Sequence, residues 1–565
     1  MDGIFMKKGK VFFALAACLI LLLSSVSGAG ARDKRGDLQR AMQSLRADEE
    51  ISVIITLSDK ADLGRFADRN KGQRRTKILQ ALREKAEQTQ GPLRAFLDIK
   101  RAKHIRPLWI INGVAATVSA GTVRELERFP GVESISLDYA LNAPVVTYGS
   151  TAAPEWNLSA IHAPELWNAG YTGQGAVVAN MDTGVDADHP DLQSRWRGGS
   201  NSWYDPNGEH SVPYDANGHG TQAMGLAVGG DAGGTAIGTA PGARWIAVKI
   251  FNDAGTASYS FIHQGFQWLL DPDYDSATND APDAVIISWG LNNVNSCDPE
   301  FQPDIQALRA ADIFSAFAAG NDGPNPATSV SPANYPESFA TGAVDELLVT
   351  DSSSGRGPSA CDGDIYPELV APGVNVKTTD LTFGGLIPDS YAFVSGTSFA
   401  APHVAGAAAL LLSASPGLTV GELETALKNS ATDLGVTGPD NDFGYGLVNI
   451  SGAFSALTRP DISATPAALD FGSVLMFRTR TLTETMSNIG SANLTVSNIQ
   501  IVGTNASMFQ VTNWAGPKTI DPGGSSNLSV VFRPTSRGVK AAVLRITSND
   551  PDTPVLDIPL SGTGR

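Results

Sequence analysis

The sequence predicts an α/β protein. A parallel, doubly wound sheet lies in the middle of the chain, a small α+β module precedes it and an all-β sandwich follows it. Three observations predict this. Between residues 176 and 344 short apolar runs alternate with helical stretches, the pattern of buried strands joined by crossover helices. Beyond residue 460 no helical pattern occurs, and strand-like runs are separated by turn residues. Charge divides the chain at the same places: net +6 over 32–142, about −26 over 143–460 and +1 from 461 onward.

In the leading module, Ile51–Leu57 alternates and is β-branched, so it reads as a strand. Thr76–Lys100 is helical with Lys and Arg on one face; Ile111–Ser119 reads as a strand, Thr122–Phe129 as a short helix and Val132–Leu137 as a strand. Pro144–Pro154 carries no charge and reads as a linker. In the middle, Ala176–Met181, Trp245–Ile250, Ala284–Ser288, Ile313–Ala319 and Phe339–Val344 are the expected buried strands. In the tail, Ser473–Met476, Leu494–Ile501, Ser529–Phe532 and Ala541–Ile546 are strands, with turns such as Pro522-Gly523-Gly524 and Asn549-Asp550-Pro551.

The 565 residues, 42% hydrophobic and 18% charged, exclude long disorder and suffice for three or four domains of about 100–200 residues each. A net charge of −17 argues against a nucleic-acid partner held by bulk charge. The acidic middle should stay soluble and monomeric, attract cations such as calcium and complement the basic module before it. Lys7, Lys8 and Lys10 precede the apolar run Val11–Leu23, and Ala29-Gly30-Ala31 follows as a cleavage motif, so residues 1–31 read as a secretory signal peptide. The run has 13 residues, short of the roughly 20 that a transmembrane anchor needs. A buried N-terminal helix is the alternative that the basic flank opposes. A lipoprotein signal at Leu15-Ala16-Ala17-Cys18 is the one opposed by an apolar run continuing five residues past the cysteine. Once the signal is removed, Cys297 and Cys361 remain as an even pair in an oxidising compartment, where a disulfide between them is plausible.

Four polar positions carry the chemistry. Asp182 directly follows the expected strand Ala176–Met181, where sites form in such sheets. His219 lies in Asn217-Gly218-His219-Gly220-Thr221, opening a helical stretch. Asn321 follows the strand Ile313–Ala319, and Ser398 lies in Ser395-Gly396-Thr397-Ser398-Phe399-Ala400-Ala401-Pro402-His403, opening a long Ala/Leu-rich helix. A serine hydroxyl needs a base to take its proton, and the base needs a carboxylate to fix its tautomer. Asp182, His219 and Ser398 supply those types. The Ser398 N–H, at a helix N-terminus, and the Asn321 amide are donors for a developing oxyanion. Each residue alone reads equally as a cap, a turn or a structural histidine; the combination in this order does not. An aspartic-protease reading of Asp-Thr-Gly fails for want of a second such loop. A Gly-x-Ser-x-Gly reading fails because Ala400 stands two residues after Ser398.

These motifs resemble those of the subtilisin-like serine proteases, whose triad follows the same chain order. Glu155-Trp156-Asn157, Ala163-Pro164, Gly173-Gln174-Gly175, Trp203-Tyr204-Asp205, Trp245-Ile246-Ala247-Val248-Lys249, Arg309-Ala310-Ala311-Asp312-Ile313-Phe314 and Asn334-Tyr335-Pro336-Glu337-Ser338-Phe339-Ala340-Thr341-Gly342 resemble the bacillopeptidase F-like branch, over about 155–455. The resemblance implies a subtilisin-like α/β/α sandwich over 145–458 and endopeptidase activity with catalytic Asp182, His219 and Ser398 and oxyanion donor Asn321. It also implies that Ser288-Trp289-Gly290 is an edge that pairs with extended substrate. Trp289 either restricts a subsite or packs in the core. Gln222 stands where the family has a second histidine, and Phe399 where it has a methionine.

Ile111-Asn112-Gly113-Val114-Ala115-Ala116 and Pro130-Gly131-Val132-Glu133-Ser134-Ile135 make residues 32–144 similar to the family's inhibitory prodomains. That implies an intramolecular inhibitor and chaperone, cut off between Tyr139 and Pro154. Leu469-Asp470-Phe471-Gly472, Phe532-Arg533-Pro534 and Thr547-Ser548-Asn549-Asp550-Pro551 make 461–565 similar to Ig-like domains of the choice-of-anchor D kind, implying an accessory or surface-association role. The expected protein is thus a secreted serine endopeptidase made as a zymogen and acting on proteins or peptides. Its chemistry requires no cofactor; structural calcium is common in the family, though no site is assigned. The cluster Asp186, Asp188, His189 and Asp191 has metal-ligand types but reads first as loop charges beside a structural histidine; His403 reads as a core histidine. A narrow maturation protease and a non-catalytic adhesion protein are the alternatives.

Overall fold

The computed structural model describes residues 34–66, 70–148 and 156–565. The signal peptide expected at 1–31 and most of the linker's second half lie outside the described residues. The central sheet has seven strands, in the order Leu369–Pro372, Phe339–Val344, Phe314–Ala318, Ala284–Ile287, Val177–Asp182, Arg244–Lys249 and Trp203–Tyr204. Every neighbouring pair is parallel. From Val177–Asp182 the chain first builds toward one edge, then returns to build Ala284–Ile287 and the strands beyond it on the other side. The switch point therefore falls between Val177–Asp182 and Ala284–Ile287, where crossovers diverge and leave a crevice at the carboxyl ends of the strands.

Side-chain alternation gives the sheet two buried faces. Val178, Trp245, Ala247, Ile286 and Ala316 pack with the helices His219–Val228 and Thr397–Ala414. Their neighbours Ala179, Ile246, Val248, Val285, Ile287 and Phe317 pack with Tyr259–Leu270 and Gln302–Ala310. Thr397–Ala414 is long and apolar enough to cross a membrane, but it is the helix buried at the centre of this core.

The leading module is a four-stranded antiparallel sheet, in the order Lys103–Leu108, Gly113–Ser119, Glu50–Leu57, Val132–Leu137, carrying the long helix Lys71–Ile99. Ile78, Leu79, Leu82, Leu108, Ile110 and Ile111 of this module join the second core of the central domain. Its basic helix meets acidic partners, as the charge division suggested. Lys71 Nζ lies 2.7 Å from Asp283, Arg74 pairs with Asp312, and Arg83 pairs with Asp271. Arg75 is buried and donates to the carbonyls of Ala311, Ala281 and Pro282 at 2.9, 3.2 and 2.7 Å. At the module's start Lys34 lies 2.6 Å from Glu300, which also faces the buried His263. Burial would depress His263, but Asp304 at 2.9 Å and Glu300 outweigh it and hold the imidazole up to about 9.

The tail is a two-sheet β-sandwich. One sheet runs Ile462–Thr465, Arg480–Asn488, Ser525–Phe532, Phe509–Val511; the other runs Leu469–Val474, Val555–Gly564, Gly538–Ser548, Leu494–Val502, Lys518–Ile520. Phe471, Phe509 and Phe532 cluster between the sheets, with ring centroids 4.6–5.6 Å apart.

Cys297 and Cys361 are bonded, closing a separation of 64 residues. A loop of that length removes about 4 kcal/mol of chain entropy from the unfolded state. Cys361→Ser is expected to lower unfolding stability by up to about that amount, read as a lower denaturant midpoint with an unchanged fold by circular dichroism.

Candidate active site

Asp182 is the last residue of the strand Val177–Asp182 and His219 the first of the helix His219–Val228; both are fully buried. Asp182 Oδ1 and Oδ2 lie 2.8 and 3.0 Å from His219 Nδ1, and Oδ1 also accepts from Thr183 N at 2.7 Å. The carboxylate thus fixes the Nδ1–H tautomer and points Nε2 away from itself. The approach of helix to strand is close: a Cβ on Gly220 would lie 2.1 Å from Gly184 O, so no side chain fits there. Gly220 N donates to Thr183 Oγ1 at 2.9 Å and closes the contact.

The turn before His219 is organised by Asp215. Its carboxylate accepts from Asn217 N, Gly218 N, Thr221 N and Thr221 Oγ1 at 2.7–3.0 Å. Sequence reasoning passed over this residue. The signal was present in Asp215-Ala216-Asn217-Gly218, an acidic residue leading into a turn whose Gly218 has φ 100°.

Ser398 is the second residue of the helix Thr397–Ala414, so its N–H is among those that helix geometry leaves without an intrahelical acceptor. Gly396, at φ 138°, makes the turn into that helix. Asn321 is exposed at the same end of the sheet. Its carboxamide oxygen accepts from Thr397 N and Oγ1, both at 3.0 Å, which turns the NH2 the other way, beside Gly396. The sequence-predicted Asp182, His219, Asn321 and Ser398 therefore meet at the switch point. In this structure Ser398 Oγ donates to Ser288 O at 3.1 Å, and His219 Nε2 makes no hydrogen bond among the described residues. His219 lies against Phe399, the residue next to Ser398, with ring centroids 5.4 Å apart.

Ser288, Trp289 and Gly290 follow the end of the strand Ala284–Ile287 and join no ladder among the described residues. Ser288 Oγ donates to Ser398 O at 2.7 Å. The Trp289 ring is buried against Phe301, and its Nε1 donates to Met181 O at 2.8 Å. The edge that does pair is Thr256–Ser258, which holds Ala140–Asn142 of the leading module in antiparallel register. Ala143 N continues the ladder to Gly255 O at 2.7 Å. Thr147–Tyr148 then pairs with Val394–Ser395, three residues before the nucleophile candidate. Residues 143–146 bridge the two flanks of the crevice.

The remaining histidines and carboxylates singled out in the sequence make hydrogen bonds within the fold. Asp186 accepts from Thr382 N and Oγ1 at 2.7 Å and from Asp188 N at 3.0 Å. His189 Nδ1 accepts from Asp191 N at 3.1 Å, and Asp191 accepts from Tyr391 OH at 2.7 Å. His403 is fully buried, which pushes it down to about 4; it faces Phe399 O and Asn157 Nδ2 at 2.9 and 2.8 Å. Gln222 Nε2 donates to Asp380 Oδ1 at 3.1 Å, a packing bond away from the Asp182–His219 pair.

Comparison with known proteins agrees with this geometry. Residues 173–446 match the subtilase family model. The tail, residues 459–565, matches the model described as Cep192 domain 4, a likeness to a β-rich domain. The chain is similar to bacillopeptidase F of Bacillus subtilis (strain 168), 36% identical over 68% of this chain but only 29% of that protein. It is also similar to subtilisin E of the same organism, 33% identical over 61% of this chain and 81% of the relative. Subtilisin Savinase of Lederbergia lenta is 36% identical over 53% of this chain and 97% of its own length.

Proposed function

The chain belongs to the subtilase family of serine endopeptidases, and from that premise we propose that it is a secreted endopeptidase made as a self-processing zymogen. The observation that carries the reading is the buried Asp182–His219 pair beside Ser398, with the segment that links the leading module to the catalytic domain pairing on both sides of the same crevice. Ser398 Oγ swings from the Ser288 carbonyl to His219 Nε2, gives up its proton there and attacks the peptide carbonyl carbon. The oxyanion is held by Asn321 Nδ2 and Ser398 N–H. His219 returns the proton to the leaving amine, and water, deprotonated by the same imidazole, releases the acyl group. Protein groups and water supply every step.

The leading module, residues 32–144, acts as the inhibitor. It occupies the crevice while Ser398 is turned away, and its cationic helix is seated on the acidic catalytic domain, residues 145–458. The cut falls within 143–146, a reading supported by ladders on both sides of that span. The expected signal sequence and the Cys297–Cys361 bond support an oxidising, extracellular location. The tail serves as an accessory domain.

Asn321→Ala is expected to lower kcat by about 10²–10³ with a smaller change in KM, because the amide acts on charge that exists only in the transition state. Steady-state hydrolysis of a peptide substrate checks this. The reading as a whole is tested by fluorophosphonate labelling, casein digestion and N-terminal mass spectrometry of the purified protein. Labelling, digestion and an N-terminus within 144–146 are expected. Labelling and processing with casein untouched would point to a narrow maturation protease. A folded protein that neither labels nor processes would overturn the proposal.

A further inference from the structure

Charge in the tail is polarised along its strands. Asp461, Asp521, Asp550 and Asp552 lie at the end joined to the catalytic domain. There Asp461 N donates to Asn488 Oδ1, Asn488 Nδ2 donates to Ile520 O and Asp550 accepts from Ile462 N. At the opposite end Val474 and Gly538 both pair with Gly564, and the turn 533–538 closes the sandwich. The exposed charges of that end are Arg478, Arg533 and Arg537, and none of the three has an acidic partner among the described residues. Lys540 adds a further positive charge, its Nζ donating to Arg537 O at 3.0 Å. The tail's other carboxylates are engaged or enclosed. Asp557 pairs with Arg545 at 2.7 Å, Asp470 accepts from Gly472 N and Ser561 Oγ at 3.0 Å, and Glu484 is buried.

Beside those arginines stands the loop Leu475-Met476-Phe477-Arg478, and its backbone is tied down. Met476 N donates to Arg565 O at 3.0 Å, Phe477 N to Pro534 O at 2.9 Å and Arg478 N to Leu475 O at 3.0 Å. Phe477 has φ 63°, a conformation that glycine takes freely and a bulky side chain does not. The ring held there does not enter the core. Phe477 is 60% exposed, Leu475 65% and Val539, at the start of a neighbouring strand, 77%. The sandwich fills its interior with Phe471, Phe509 and Phe532 and leaves these three outside.

We propose that this end of the tail docks on an anionic phospholipid bilayer, with Leu475, Phe477 and Val539 entering the headgroup layer and Arg478, Arg533 and Arg537 meeting its phosphates. An apolar tip rimmed by cations is the composition of an interfacial membrane contact, which needs both signals to hold. A soluble polyanion would use the arginines but leave the three apolar side chains in water. The charge of the whole chain, −17, makes the contact directional: an anionic surface attracts only the basic end and repels the acidic catalytic domain. Docking of this kind is independent of catalysis and would concentrate the protein at a lipid surface.

The Ser398→Ala protein, which cannot digest itself, is purified after export without its signal peptide and sedimented with vesicles. It is expected to bind phosphatidylcholine vesicles containing about one-third phosphatidylglycerol, to bind phosphatidylcholine alone far less, and to be released by salt. Phe477→Gly and Arg533→Gln/Arg537→Gln should each weaken partitioning about fivefold or more. Glycine suits φ 63°, so the melting temperature of Phe477→Gly should not fall, which separates lost binding from lost fold. Ile489→Ser, which replaces an exposed apolar residue at the opposite end, should bind as the parent does. No binding to the phosphatidylglycerol vesicles overturns the proposal. So does binding that Phe477→Gly leaves intact, the mark of a contact made by charge alone, or binding indifferent to the arginine pair. An equal loss in Ile489→Ser overturns it as well.

Discussion

Ser398→Ala is expected to yield a folded protein of full precursor length whose turnover is lower by about 10⁶, the loss that follows when a subtilisin is deprived of its nucleophile. The cost to folding is small by comparison. Ser398 Oγ makes one hydrogen bond, to Ser288 O at 3.1 Å, and such a bond contributes about 1 kcal/mol. The backbone of the helix Thr397–Ala414, its Gly396 turn and the return bond from Ser288 Oγ to Ser398 O are all kept. The two effects therefore separate by many orders of magnitude. The rate remaining would come from the oxyanion donors and substrate binding alone, about 10³–10⁴ above water. The same substitution should stop removal of the leading module, since the nucleophile that cuts it is gone. Kinetics on a peptide, fluorophosphonate labelling and the intact mass read these three consequences from one sample. Proteolysis retained by pure Ser398→Ala would end the assignment.

The four candidate positions stand out in the sequence because each lies at or just beyond the end of a strand or helix. Asp182 ends a buried strand and Asn321 comes shortly after another, and His219 and Ser398 open helices flanked by glycine. The five predicted central strands agree with the observed ones to within a residue at each end. The two that went unread, Trp203–Tyr204 and Leu369–Pro372, are the outer strands of the sheet, one only two residues long and the other ended by proline. In the leading module, Lys103–Leu108 escaped for a similar reason: an edge strand reading Lys-His-Ile-Arg-Pro-Leu has no apolar alternation. In the tail, Arg480–Asn488 hides behind threonines and the inward Glu484, which is fully buried and pushed up to about 7 by that burial. The pairing edge Thr256–Ser258 was illegible for a deeper reason. Three small or polar residues carry no strand signal of their own, and their partner, Ala140–Asn142, lies far earlier in the sequence. The inward turn of Trp289 is likewise set by tertiary contacts, with Phe301 and with Met181 O, that no local pattern encodes.

Asp182→Asn is expected to lower kcat by about 10⁴ while leaving the fold intact. The carboxylate does two things at once: one oxygen receives Thr183 N–H at 2.7 Å and both receive His219 Nδ1–H. In the asparagine the amide oxygen keeps the Thr183 bond, because that donor is a backbone N–H that can meet only an acceptor. The NH2 must then occupy the other position and face His219. Two N–H groups cannot meet there, so the imidazole moves its proton to Nε2 and accepts at Nδ1. Nε2 is the atom that has to take the Ser398 proton, and in this tautomer it has no lone pair to offer. The loss also removes the negative charge that stabilises the imidazolium formed during attack. A buried amide is less costly to desolvate than a buried carboxylate, so unfolding stability should be equal or higher. The prediction is therefore a divergence: an unchanged or raised melting temperature, an unchanged KM and a kcat lower by about four orders of magnitude. A variant that loses less than tenfold in kcat would mean that His219 takes its orientation from elsewhere in the fold. One that loses stability together with activity would mean that Asp182 acts mainly as a structural anchor for the strand end.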